Sequence, residues 1–251
     1  MELLIRADDL GFSEAVNLGI AKTVHEGIIR NVGLMTNMPY SRHGYDLIKD
    51  AGVCLGQHTN ISTGKPILDP ERIPSLVDEN GHFRSSRDYR SAKEDFVVLD
   101  EVIAEIEAQY EAFKRITGRK PDYFEGHAVA SKNFIEGLRI VAEKHGLRFL
   151  NFSFKGEPIA FGNGKLHIVM ESMQPDYDPL ETLKKTVEKT WSTIPAIVFH
   201  PGFIDAYLLK NSSLVLQRAY ETEVCCSEEV KAYLERHKVR LLTYNEVYDH
   251  Q

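Results

Sequence analysis

The chain has 251 residues, 43% of them hydrophobic, which is enough to bury one substantial core at a length where α/β barrels commonly lie. Its formal charge of −7 gives no electrostatic reason to bind nucleic acid or an anionic membrane, and no apolar run approaches the roughly 18 residues of a membrane span. Cys54, Cys225 and Cys226 are odd in number and two are adjacent, which suits neither a disulfide framework nor a CxxC metal knuckle; reduced thiols in the cytoplasm are expected. In chain order, short apolar runs suited to buried parallel strands fall at 2–7, 32–37, 53–60, 123–127, 148–152, 166–170, 196–200 and 239–243. Helical patterns lie between most of them. Ser13 is placed to cap the first, with Ala15, Leu18 and Val24 on its apolar side, and others fall at 99–116, 133–144, 180–191 and 227–236. This alternation predicts a single domain over 1–251, a distorted (β/α) TIM-like barrel of seven or eight mostly parallel strands. Residues 62–98 break the rhythm with Pro66, Pro70 and Pro74, then Asp78-Glu79-Asn80-Gly81, then Arg84, Arg87 and Arg90. The functional reading of this segment is a lid over the substrate; the structural one is a surface insertion.

Reactive residues gather where such a barrel places its chemistry. Asp8 and Asp9 end the first predicted strand, His58 ends the third, His127 the fourth, and His200 the strand before Pro201-Gly202. Carboxyl ends of barrel strands converge on one face, so residues about 190 positions apart can share a pocket. Burying adjacent carboxylates without a cation is costly, and a metal ion relieves that cost. Neighbours on a regular strand point to opposite faces, so the backbone must turn near Asp9 for both to serve one site; Gly11 is placed to permit it. Two imidazoles with a carboxylate leave positions open for water and substrate, as a catalytic ion requires. His200, held by a Pro-Gly turn, is suited to give a proton to a leaving amine. No GxSxG elbow or cysteine with a base partner is present, which disfavours a Ser or Cys nucleophile.

These motifs resemble the YdjC/ChbG carbohydrate (chitooligosaccharide) deacetylase family. Ala7-Asp8-Asp9-Leu10-Gly11 is similar to its NADDFG opening, Gly56-Gln57-His58-Thr59-Asn60 to its GxHxNL segment, and His200-Pro201-Gly202 to its HPG turn. Segments 74–83 and 242–247 resemble its lid and its closing strand and helix, so the likeness spans nearly the whole chain. The resemblance implies a divalent ion held by Asp9, His58 and His127, with magnesium first and zinc, cobalt or manganese as alternatives. It implies a hydrolase acting on linear amides that removes an N-acetyl group from an amino sugar or oligosaccharide, with Asp8 as base and His200 as acid. Two departures stand out. Arg6 replaces the Asn of NADD, and Glu125, Val129 and Ser131 accompany His127 where the family carries a DxHxHxH run. Arg6, with the loop arginines, raises the hypothesis of a phosphorylated sugar; Arg6, Asn60 and Arg84 are the candidate substrate contacts. The competing readings are a metal-dependent phosphoesterase and a catalytically silent sugar-binding barrel. A homodimer is the prior for assembly.

Overall fold

The computed structural model describes residues 1–153 and 156–249. The chain runs β1 (Glu2–Leu10), α1 (Glu14–His25), β2 (Asn31–Leu34), α2 (Ser41–Ile48), β3 (Cys54–Thr59), α3 (Ser86–Ser91), α4 (Leu99–Thr117), β4 (Phe124–Gly126) and α5 (Lys132–His145). It continues through β5 (Ile159–Phe161), β6 (Gly164–Val169), α6 (Pro179–Glu188), β7 (Ile194–Phe199), α7 (Ala206–Asn211), α8 (Leu216–Cys226), α9 (Glu228–Arg236), β8 (Arg240–Leu242) and α10 (Tyr244–Asp249). The strands form one eight-stranded sheet in the order β4-β3-β2-β1-β7-β6-β5, with β8 paired to the start of β1. All these pairings are parallel except the β5–β6 hairpin. The path ends at β4 on one side and β5 on the other, so the sheet is a curled half-barrel. This is the distorted TIM-like barrel that the strand and helix alternation predicts.

β1 is the centre of the fold because it can be buried on both faces: every residue after Glu2 is buried, including Arg6, Asp8 and Asp9. Asn31 joins β1 to the closing strand, donating from Nδ2 to the carbonyls of Ile5 and Leu242 at 3.0 Å each while its Oδ1 accepts from Tyr244 N. The main core lies between the sheet and α1, α2, α8 and α9. Ser13 caps α1 as expected, accepting from Val16 N at 3.2 Å. Leu18 differs from expectation: it is 43% exposed, and the inner face carries Val16, Ile20 and Val24 instead. The helix is rotated so that Gly19 can meet the backbone of Gly202.

Two strands also differ. The run 148–152 makes only a bridge, Phe149 to Phe124, because it lies at the open edge beyond β4 with one partner at most. β5, which the apolar pattern does not suggest, exists because the Gly162-Asn163 turn folds it back on β6 in register Phe161 with Gly164. The insertion 62–98 is far from structureless. It contains a short 3-10 turn, Pro70–Arg72, a bridge between Val77 and Phe83, and α3 capped by Ser85 and Asp88. Ile73, Leu76, Val77, Phe83 and Val97 are buried against α4 and α5, at roughly 1.5–3 kcal/mol for each large side chain. Among the described residues, no helix is long and apolar enough to cross a membrane.

Candidate active site

The site begins with an irregularity in β1. Its register with β2 passes from Ala7–Val32 to Leu10–Leu34, three residues against two, which is a β-bulge. The extra residue is absorbed at Asp9, whose φ is +73°, a conformation that Asp tolerates better than most side chains. The turn expected near Asp9 is therefore made by Asp9 itself, with Gly11 following at φ +102°. Both carboxylates reach the same end of the barrel. Gly33 on β2 makes room for them: a Cβ there would meet Asp8 Oδ1 at 2.9 Å and His58 Cβ at 3.1 Å.

Asp9, His58 and His127 converge. Asp9 Oδ1 lies 3.4 Å from His58 Nε2 and 3.3 Å from His127 Nδ1, and the two nitrogens are 2.8 Å apart. Donor atoms at about 2.1 Å from one ion lie roughly 3.0–3.4 Å from each other, so this spacing fits a shared cation. Asp9 Oδ1 is also a buried oxygen with no hydrogen-bond partner, the state in which a carboxylate most needs a cation. The donor set of one oxygen and two nitrogens suits a divalent metal. On the far side of His58, Nδ1 is hydrogen-bonded to Glu125 on β4. With the proton on Nδ1, the Nε2 lone pair is turned to the convergence point, the usual arrangement behind a metal-binding histidine.

The two aspartates have separate arginines. Asp9 Oδ2 accepts from Arg218 of α8 at 2.6 Å, and Arg218 is itself only 2% exposed. Asp8 is paired with the Arg6 guanidinium: one terminal nitrogen donates to Oδ2 at 2.7 Å, while Nε lies 2.7 Å from Oδ1 as an ion pair without hydrogen-bond geometry. Arg6 also donates to the Tyr244 hydroxyl at 3.1 Å, lies 3.9 Å from Glu125, and sits about equally far from the Tyr123 and Tyr244 rings, at 6.0 and 5.9 Å. Asp8, His58 Nδ1 and Glu125 form a second cluster of potential ligands, and Arg6 is the cation beside it.

Electrostatics divide the site's groups. Burial opposes ionisation of Asp9, but Arg218, His127 and His58 hold its pKa well below the ordinary carboxylate range. Burial likewise opposes charge on His58, yet Glu125 and Asp8 outweigh it and raise its pKa well above that of a free imidazole. His200 goes the other way: burial, reinforced by Arg218 and only partly offset by Asp9 and Asp8, pushes it down to about 4. It stands just after β7 with Nδ1 3.2 Å from Ser172 Oγ. Its main-chain N–H donates to Glu221, and its carbonyl accepts from Arg218 at 3.3 Å. Arg218 thus joins the His200 turn to Asp9. Glu221 accepts a further bond from the Tyr177 hydroxyl at 2.7 Å, and burial lifts its pKa to about 7.

The remaining candidates lie elsewhere in the network. Asn60 is fully buried; its amide donates to Asn37 Oδ1 and the Thr63 carbonyl and accepts from Ser62 N, so it shapes the start of the insertion. Arg84 donates to the Ser75 carbonyl and lies over the Phe96 ring at 5.4 Å, which ties it into the same segment. Arg6 is spent on Asp8, so it no longer argues for a phosphorylated ligand. Val129 is buried in the insertion's core and Ser131 caps α5 while donating to Asp95. Sequence reasoning missed Arg218, Glu221 and Ser172 as parts of the site. For α8 a signal existed, because Arg218, Glu221, Thr222 and Cys225 fall on one helix face and form its buried side.

Comparison with known proteins bears on this arrangement. The carbohydrate deacetylase of Enterococcus faecalis is 29% identical over 262 residues, covering 97% of each chain. Carbohydrate deacetylase 2 of Listeria innocua is 28% identical over 253 residues, 98% of this chain and 99% of that one. Among solved structures, an Enterococcus faecalis protein named for cellobiose-phosphate cleavage superimposes with a TM-score of 0.83 at 26% identity, covering 98% of both chains. The Bc1960 peptidoglycan N-acetylglucosamine deacetylase shares the fold, with a TM-score of 0.58 at 12% identity over 100% of this chain and 89% of its own. The family model described as YdjC-like protein matches residues 2–236, and the chain belongs to that family.

Proposed function

We propose that this protein is a metal-dependent carbohydrate deacetylase, hydrolysing the N-acetyl group of an amino sugar or oligosaccharide. The observation that carries the reading is the buried, unpartnered Asp9 Oδ1 facing two imidazole nitrogens at 3.3 and 3.4 Å. Asp9, His58 and His127 would hold a divalent ion, which supplies Lewis acidity that makes water more acidic and an acetyl carbonyl more electrophilic. Glu125 keeps His58 in the tautomer this needs. Asp8 takes the proton of the attacking water. A carboxylate has about four lone-pair positions, and Arg6 donates to Oδ2 alone, so Asp8 has room to accept another hydrogen. Arg6 orients Asp8 beside Glu125. His200 gives a proton to the nitrogen as the C–N bond breaks, and acetate and a free amine result. With its pKa lowered to about 4, His200 is neutral at rest, so the proton that it delivers is one that its ring takes up during the reaction and then readily gives away.

The relatives named carbohydrate deacetylase, matched over almost their full lengths, support the substrate class. A two-metal phosphoesterase is less well supported, because the second carboxylate cluster already has the Arg6 cation beside it. A silent sugar-binding barrel would need neither a base nor an acid, and His200 is anchored through Arg218 to the Asp9 turn. Magnesium as the ion and a lid role for 62–98 belong to the same reading, carried by family resemblance; a cytoplasmic location rests on the unpaired cysteines, and a homodimer on the general frequency of dimers. The test is acetate release from N-acetylated mono- and disaccharides, with and without a 6-phosphate, using protein reconstituted with magnesium, zinc, cobalt or manganese. Release by wild type and at least a 100-fold loss in Asp8→Asn is expected. No release with any sugar and any ion overturns the reading.

A further inference from the structure

Ser172 stands three residues beyond the end of β6, and His200 stands one beyond β7; the two strands pair in parallel with Val169 opposite Ile197. Adjacent strand ends therefore bring two loops together, and Ser172, fully buried, places Oγ 3.2 Å from His200 Nδ1. Its position is fixed from both sides. Glu171 accepts from the Thr182 hydroxyl of α6 at 2.6 Å, and Gln174 N closes a turn onto the Glu171 carbonyl at 2.8 Å. The His200 main chain is held separately by Glu221 and Arg218, which leaves the ring's rotation to be set at Nδ1.

Resting on the deacetylase reading, we infer that Ser172 is a positioning residue: its hydroxyl oxygen accepts from Nδ1–H of His200, so that Nε2 is the nitrogen that takes up a proton and delivers it to the departing amine. A hydroxyl oxygen is suited to this because it accepts a hydrogen bond without carrying a charge. It accepts from Nδ1–H in the imidazolium and in the neutral ring that remains once Nε2 has given up its proton. The imidazole keeps one orientation through the whole proton cycle. A carboxylate would instead favour the charged ring and hold back its proton.

The assignment separates substrates by leaving group. An amide nitrogen must be protonated as it departs, whereas the phenolate of 4-nitrophenyl acetate departs without an acid. Ser172→Ala is expected to lower kcat on an N-acetyl sugar about tenfold with KM within about twofold, and to leave 4-nitrophenyl acetate hydrolysis within about twofold. Ser172→Thr, which keeps the hydroxyl, should recover most of the amide rate. In wild type, the imidazole 15N shifts of neutral His200 should report the Nδ1–H tautomer, and in Ser172→Ala a mixture. Equal loss on both substrates, no loss on the amide, or an Nε2–H ring in wild type overturns the assignment of Ser172 while the deacetylase reading stands. Wild type that releases no acetate from any N-acetyl sugar overturns both.

Discussion

His58 and His200 are both buried at the carboxyl ends of strands, yet their surroundings drive them in opposite directions. His58 faces Glu125, Asp8 and Asp9, and its affinity for protons rises in spite of burial. His200 meets a serine hydroxyl and shares its neighbourhood with Arg218, so burial prevails and its pKa falls to about 4. The half of the site on β1, β3 and β4 is thus an anionic nest suited to a cation, and at the end of β7 the His200 ring holds a proton only weakly. Arg218 is the seam between them, contacting Asp9 on one side and the His200 carbonyl on the other.

Breaking that seam should have the largest effect. Arg218→Met leaves the inner carboxylate of Asp9 buried without its partner, and such losses cost about 3–5 kcal/mol when one member of a buried pair is removed. Urea unfolding of the metal-free variant is expected to show that loss. A divalent ion should restore part of it, since the ion supplies the missing positive charge and binds only the folded chain. Equal destabilisation with and without ion means that Asp9 is not where the ion binds.

The contrast between the two histidines also has a pH signature. Between about 6.5 and about 4 the unfolded chain protonates His200 while the folded one does not, so this residue's contribution is intact above 6.5 and is lost as pH falls through that window. The size is on the order of 3 kcal/mol. His58 has the opposite sign: its raised pKa stabilises the fold at pH below the free imidazole value, and that contribution fades as pH rises through its folded pKa. In chelator-treated protein, His200→Gln should flatten the acid limb of stability between pH 6.5 and 4. An unchanged slope assigns the acid sensitivity to another group.

How much of this was readable beforehand depends on the distance over which the physics acts. Asp8, Asp9, His58, His127 and His200 were visible because strand ends in a barrel share a face, a rule that needs only local strand patterns. The partners were harder. Arg218 meets Asp9 across 209 residues, and only its place on an otherwise inward helix face hinted at burial. Arg6 suggested an external anion because a guanidinium matches phosphate geometry, but Asp8 two positions along the same strand pairs with it internally. Glu125 was noted as a departure from the family run and became the partner that sets the His58 tautomer. Leu18 failed because the inward face of α1 is chosen by backbone contact at Gly19, which apolar periodicity does not record.

The same lesson applies to the insertion, which the sequence presented as loose chain. Glu105 of α4 is fully buried and accepts from Ile67 N at 2.9 Å, Leu68 N at 3.0 Å and Gln109 Nε2 at 2.9 Å. Burial raises its pKa, and these three bonds pull against that shift. Glu105→Gln sets two effects in opposition. The amide relieves the cost of a buried charge, but its single acceptor oxygen cannot serve both main-chain donors, and its –NH2 faces one of them. An unsatisfied buried N–H costs about 1–3 kcal/mol, so a net loss near the lower end of that range is expected. It should appear as faster amide exchange at Ile67 and Leu68, with ion affinity unchanged, because Asp9, His58 and His127 are held by other elements. Unchanged protection at those two amides refutes a tethering role for Glu105; weakened ion binding alongside faster exchange shows that the insertion and the anionic half of the site act as one unit.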